Sequence, residues 1–233
     1  MKILMNLLYP PQNRCDICGS PSSYTVCEAC MSAIEFLEGV SCLKCGKNLN
    51  ECYEDSICPD CKSHNSEYER AFSCFEYKGT GKKMIYSLKY EGKVRLAETI
   101  ALLMYDKLKN EGLKIDAVAP VPIHPNKLKA RGFNQAYLIA EGLSARLNKP
   151  LLDCLERVKE TKEQYNLDRF QRFLNIVDAI SVKLLYNIDK YKSILLVDDI
   201  YTTGSTVNEC SKMLKKAGIE KVYVITAATG SNT

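Results

Sequence analysis

The stretch ILLVDDIYTTGST, Ile194 to Thr206, constrains the fold of this chain more than any other. Four consecutive apolar residues suit a strand buried on both faces, two carboxylates follow at its C-terminal end, and a short Thr/Gly/Ser loop leads into a helical pattern over 205–217. In open parallel sheets, ligands bind outside the carboxyl ends of the strands, and the N–H groups of a helix N-terminus attract phosphate. Tyr201, Thr202, Thr203, Gly204, Ser205 and Thr206 therefore form a candidate phosphate cradle. Gly204 lets the backbone approach closely, and the hydroxyls add donors. Asp198 and Asp199 are then expected to face a sugar diol. The plainer alternative is an ordinary strand end, with a solubilising Asp pair and a capped helix.

The flanking pattern supplies the rest of a sheet. The runs AFSCFEY at 71–77, DAVAPVPI at 116–123 and KVYVITAA at 221–228 read as strands. Leu96, Ile100, Leu103, Met104 and Leu108 share one helical face, and 135–148 has similar spacing. Apolar strands alternating with helices predict an α/β fold with a central, mostly parallel sheet. With 233 residues and 46% apolar content, the chain can bury one such core beside a smaller module. A net charge of +4 is too small for a polycation that coats nucleic acid indiscriminately, yet its sign suits phosphate-bearing partners.

Cysteine usage marks the smaller module, because ten of the twelve cysteines precede residue 75. Cys15/Cys18, Cys27/Cys30, Cys42/Cys45 and Cys58/Cys61 form four C-x-x-C pairs separated by 8, 11 and 12 residues. Each pair presents two sulfurs to one metal, so four knuckles make two sites of four cysteines, most simply in sequential pairing, with a crossed pairing open. Gly19 and Gly46 follow two of the knuckles and allow the left-handed backbone such turns favour. Two structural zinc ions are the expected occupants. Cys52 and His64 lie in the same stretch as substitute ligands, with a spare thiol and a solvated loop residue as the plainer readings. Cys74, Cys154 and Cys210 read as ordinary buried thiols. A disulfide-stapled secreted domain is the alternative, but MKILMNLLY at the start is too short to span a bilayer and no cleavage site precedes Pro10. A leaderless cytoplasmic protein without membrane insertion is expected.

The order of apolar run, acidic pair and T-T-G-S-T resembles the phosphoribosyl pyrophosphate (PRPP) motif of type I phosphoribosyltransferases. That resemblance implies that Asp198 and Asp199 hold the ribose hydroxyls as the catalytic acids. It also implies that Tyr201 to Thr206 hold the 5′-phosphate, and that Mg²⁺ accompanies PRPP. Purine-salvage members carry an aspartate where this chain has Thr202, so purine salvage is not expected.

Two further segments resemble the ComF family, named for a protein of bacterial DNA uptake. PVPIHPNKLKARGFNQA, Pro120 to Ala136, offers Lys127, Lys129 and Arg131 on a loop to meet pyrophosphate, with Gly132 as a turn and Asn134 and Gln135 as polar contacts or caps. RVKETKEQYNLDRFQRFLN, Arg157 to Asn175, carries the family spacing through Arg157, Thr161, Gln164, Leu167, Arg172 and Asn175, and reads as a mobile loop that closes over ligand. The entry LLYPPQNRCDIC resembles that of the family's double zinc ribbon, and FEYKGTGKKMIYSLKYEGKVRLA resembles its junction with the enzyme-like domain. The expected division is a zinc-ribbon module over 1–69 and a phosphoribosyltransferase-like domain over 70–233. The junction interleaves Lys78, Lys82, Lys83, Lys89, Lys93 and Arg95 with Tyr77, Tyr86 and Tyr90, either to track single-stranded nucleic acid or as a solvated face with inward tyrosines.

Two function classes follow from the resemblance. One is a PRPP-binding protein that handles imported single-stranded DNA together with other DNA-uptake proteins. The other is an active glycosyltransferase displacing pyrophosphate with an unidentified nucleophile.

Overall fold

The computed structural model of the chain describes residues 13–49, 55–63, 65–158, 179–183 and 186–230. In chain order its elements are α1 (Glu28–Ser32), α2 (Pro59–Lys62), β1 (Arg70–Glu76), α3 (Gly79–Tyr90), α4 (Leu96–Leu108), β2 (Ala117–Pro120), α5 (Pro125–Arg131), α6 (Gln135–Leu147), β3 (Leu155–Arg157), β4 (Ile180–Val182), β5 (Ser193–Tyr201), α7 (Ser205–Lys216) and β6 (Lys221–Thr229).

Ile194, Leu195, Leu196 and Val197 are fully buried because β5 lies inside a parallel sheet of order β1-β6-β5-β2. Leu196 stands in register with Val224 of β6 on one side and Ala119 of β2 on the other. Alternation along the strand divides the core in two. Leu195 and Val197 pack with Met84, Ile100 and Ile139 from the helices of one face, while Ile194 and Leu196 pack with Cys210, Leu214, Leu155 and Ile180 on the other. Each fully buried Leu or Ile contributes about 1.5–3 kcal/mol. The α/β class with a parallel central sheet behind a cysteine-rich module is the one observed.

Two helices occupy segments that read as junction and loop. Met84, Ile85 and Leu88 form a buried stripe that makes 79–90 a helix, α3, behind its many lysines and tyrosines. Over 125–131, Pro125 sits at the first helical turn and His124 Nδ1 accepts the Asn126 N–H at 3.2 Å. Gly132, left-handed at φ 86°, ends that helix. β3 and β4 form a separate antiparallel pair.

The cysteine-rich segment lies along the outer side of β1, the sheet's edge. The Ala71 N–H donates to the Lys44 carbonyl, the Leu37 N–H to that of Cys74 and the Glu76 N–H to that of Glu35, each at 2.9 Å. Phe36 meets Phe75 edge-on, with centroids 6.4 Å apart. Gly46 has φ +71°, and a Cβ there would stand 2.7 Å from the Ala71 carbonyl oxygen, so only glycine lets the second knuckle close on the strand. Lys93 Nζ donates to the Asp16 carbonyl at 2.7 Å and Arg95 pairs with its carboxylate at 2.8 Å, tying the first knuckle to the turn after α3.

Candidate functional site

The C-terminal end of β5 gathers the ionisable groups that the sheet cannot bury unpartnered. Strand side chains alternate, so Asp198 and Asp199 start from opposite faces of the sheet, yet at its end their carboxyls stay within hydrogen-bond reach of each other. Asp199 is buried and ion-paired to Lys89 from α3, and its Oδ1 accepts from Gln135 Nε2 at 2.8 Å. Burial alone would raise the Asp199 pKa, but the Lys89 charge and the hydrogen bonds from Lys89 and Gln135 outweigh it and hold the carboxyl below its usual range. Asp198 is half-buried, and its Oδ1 accepts the Asp199 N–H at 2.8 Å. Burial, reinforced by the Asp199 charge, raises its pKa well above the ordinary value. The pair therefore offers one anion and one group that favours its proton, an arrangement suited to accepting from and donating to neighbouring hydroxyls.

The loop after the acids turns at Gly204, which is left-handed at φ 78° and stands at the N-cap of α7 without a side-chain cap. A Cβ on Gly204 would collide with the Tyr201 hydroxyl and lie 2.6 Å from its Cζ. Tyr201 itself points inward, its hydroxyl 2.7 Å from that of buried Tyr68, so its side chain supports the loop from below. Thr202 is exposed and Thr203, Ser205 and Thr206 are half-buried, with the Thr203 and Ser205 hydroxyls 2.8 Å apart. The first amide of α7, that of Ser205, donates to the Thr203 hydroxyl at 3.4 Å, so the loop and the helix start form one unit beyond the end of β5.

The segment after β2 reaches the same place from the other side. Asn134 caps α6 by accepting the Ala136 N–H at 3.0 Å, and its own amide donates to the Val121 carbonyl at 3.0 Å. That cap sets Gln135 facing Asp199. Arg131 is half-buried and donates through Nη1 to Gln135 Oε1, so it joins the cluster at one remove, whereas Lys127 is exposed on α5 beyond it. Gly132 forms the turn between the two helices. Arg157, at the end of β3, has its guanidinium pKa lowered by burial against the pull of Cys210 and Asp198, which puts it on the Asp198 face. Thr161, Gln164, Leu167, Arg172 and Asn175 lie outside the described residues, as do Cys52 and His64.

Lys89 is the member that the sequence conceals. It reads as one more cation of a basic junction, but its side chain is only 16% exposed and faces Asp199. The signal was its spacing: position 89 follows Ile85 by one helical turn, on the flank of the buried stripe, while Lys82, Lys83, Tyr86 and Tyr90 fall on the exposed side. Tyr86 and Tyr90 do not pack inward, being 51% and 65% exposed.

The eight knuckle cysteines form two clusters in sequential pairing, Cys15/Cys18/Cys27/Cys30 and Cys42/Cys45/Cys58/Cys61, with all sulfurs of each within 4.8 Å. Sulfurs of Cys18 and Cys27, and of Cys45 and Cys58, are 3.7 Å apart. Tetrahedral zinc with Zn–S of about 2.3 Å requires S–S of about 3.8 Å, so the donor sets fit structural zinc. Backbone N–H groups of Cys27 and Cys58 point at the sulfurs of Cys15 and Cys42 at 3.3 Å, as outer-shell donors to thiolate ligands do. Four thiols this close cannot all ionise unaided. Hydrogen bonds from Cys45 and Cys61 lower the Cys42 pKa, while the bond to Cys42 and burial push Cys45 up to about 12, a conflict a divalent cation removes. Cys74, Cys154 and Cys210 are buried as expected.

Residues 4–62 match the double zinc ribbon domain family. Competence protein F of Haemophilus influenzae is 32% identical over 205 residues, covering 85% of this chain and 88% of that protein. Competence protein ComFC of Streptococcus pneumoniae is 29% identical over 199 residues, covering 84% of each. Among solved structures, adenine phosphoribosyltransferase from Thermoanaerobacter pseudethanolicus superposes with a TM-score of 0.37 at 16% identity, over 62% of this chain and 83% of that one. Among the described residues no helix is long and apolar enough to cross a membrane.

Proposed function

The chain belongs to the ComF family, and from that premise we propose that it binds PRPP with magnesium at the C-terminal end of β5 and acts in handling single-stranded DNA during natural competence. Residues 1–69 would serve as the zinc module and 70–233 as the ligand-binding domain. The observation that carries the reading is the strand end itself, where β5 closes on Asp198 and Asp199 and turns at left-handed Gly204 directly into the N-terminus of α7. In it, the amides and hydroxyls of 202–206 hold the 5′-phosphate, Asp199 accepts from a ribose hydroxyl, Asp198 donates to or accepts from its neighbour, and Arg131 turns toward pyrophosphate. The hard carboxylate oxygens of Asp198 and Asp199 would hold the magnesium that accompanies PRPP, and the cation would supply charge neutralisation of pyrophosphate. Thr202 supplies no group basic enough to deprotonate a purine near neutral pH, which favours a binding role over purine salvage.

Calorimetry on the zinc-loaded full chain tests this. PRPP with magnesium should bind, and Asp199→Asn, which keeps the size but deletes the charge, should lose about 1–3 kcal/mol of affinity. Absence of PRPP binding would overturn the reading. Rapid pyrophosphate release with free adenine, guanine or hypoxanthine would instead assign the chain to nucleotide salvage.

A further inference from the structure

Helix α3 presents two chemically opposite faces. Met84, Ile85 and Leu88 enter the core and Lys89 reaches Asp199, whereas Lys82, Lys83, Tyr86 and Tyr90 stand in solvent. Tyr86 and Tyr90, one turn apart, lie against each other with ring centroids 5.0 Å apart. Two adjacent tyrosines left this exposed form an aromatic patch of the kind that marks a binding surface. Over Tyr90, at 5.3 Å from the ring centroid, lies the Arg131 guanidinium. The same guanidinium donates to Gln135, which donates to Asp199. Arg131 is therefore one cation shared between an exposed aromatic surface and the acidic strand end.

We propose that Tyr86 and Tyr90, with Lys82 and Lys83, form a stacking site for the unpaired bases of a single-stranded polynucleotide, and that Arg131 couples this site to the ligand site at β5. The chemistry selects the occupant. Aromatic side chains take any unpaired base on their faces, a duplex hides those faces, and lysines on the same side neutralise phosphates. The coupling has a definite sign and rests on the PRPP reading above. Arg131 covers part of the ring that a base would use. A pyrophosphate group draws the guanidinium off the ring, because a charge-assisted bidentate contact is stronger than an exposed cation–π contact. Ligand at β5 thus uncovers Tyr90, and by linkage a bound strand strengthens the ligand. The strength of an exposed cation–π contact sets the effect at about two- to fivefold.

The test uses the zinc-loaded full chain and fluorescence anisotropy with labelled oligonucleotides of about 12 nucleotides. Oligothymidylate should bind at least about fivefold tighter than an abasic strand carrying the same phosphates, and tighter than the matching duplex. Tyr86→Ser with Tyr90→Ser should bring oligothymidylate down to the abasic affinity and leave the abasic strand unaffected. Equal binding of the thymidine and abasic strands by the unaltered protein, or a preference for duplex, would overturn the stacking site with no variant involved. Saturating PRPP with magnesium should then tighten oligothymidylate binding in the unaltered protein and not in Arg131→Met. If calorimetry registers PRPP binding but the oligonucleotide affinity does not move, the coupling is wrong and the PRPP site stands. If PRPP does not bind, that site and the coupling fall together, while the abasic comparison still decides the stacking site.

Discussion

Replacing Lys89 by Met keeps most of the stem that packs beneath α3 and removes the charge that faces Asp199. Asp199 then remains buried with Gln135 as its hydrogen-bond donor. Breaking a buried ion pair from one side costs about 3–5 kcal/mol, and the lower figure applies here because the Lys89 side chain keeps 16% of its exposure. The loss also has a ceiling, because the stranded carboxyl can take up a proton. Charging that proton against an unfolded carboxyl pKa of about 3.9 costs about 5 kcal/mol at pH 7.5 and about 2 kcal/mol at pH 5.5.

The expected loss for Lys89→Met is therefore about 3 kcal/mol at pH 7.5, read as a fall in Tm of roughly 6–12 °C, and no more than about 2 kcal/mol at pH 5.5. The sign follows from the pKa directions. In the unaltered protein Asp199 is depressed, so its stabilisation is in place above the unfolded carboxyl value and fades as pH falls through the folded one. In the variant the folded value lies above the unfolded one, so stability recovers on acidification. Denaturant titration at both pH values, with zinc present throughout, measures the difference. Lys89→Met combined with Asp199→Asn should lose less than the sum of the single changes. A loss independent of pH, or strict additivity, would show that Lys89 acts only as packing.

Gly204→Ala should cost about 2–4 kcal/mol by thermal unfolding, from the left-handed backbone and the collision with Tyr201, which is held by Tyr68. A change below about 1 kcal/mol would mean that the loop re-forms freely. Metal analysis should give two zinc ions per chain, and Cys42→Ser should reduce the count by one while the Cys15 cluster stays loaded, since the two donor sets share no residue. Loss of both ions together would contradict independent sites.

Local patterns in the sequence were enough to expect β5, its acids and the glycine turn, because a buried parallel strand leaves a continuous apolar run and its exposed C-terminal end a run of polar residues. The knuckles were equally plain, since two sulfurs on one metal need close spacing. Arg131 and Gln135 stand in a segment that already pointed to the site, but Lys89 was obscured because it meets its partner across the fold, not along the chain. A lysine among six basic residues carries no local mark of burial. Helix α5 leaves no apolar periodicity in the sequence because it buries no residue, and its start depends on His124 and Pro125, which also suit a turn.

The three hydrogen bonds between β1 and the knuckle segment give the metal ions a consequence beyond local folding. β1 reads RAFSCFE, seven residues of which five are buried, and nothing else among the described residues pairs with its outer side. Stripped of its metals by a chelator or an oxidant, the covering segment would leave the sheet a bare, apolar, hydrogen-bond-hungry border of the kind that recruits strands from other molecules. Demetallation would then announce itself as precipitation of chains whose α/β core is still largely folded, and the zinc ribbon is, in that sense, a guard on solubility.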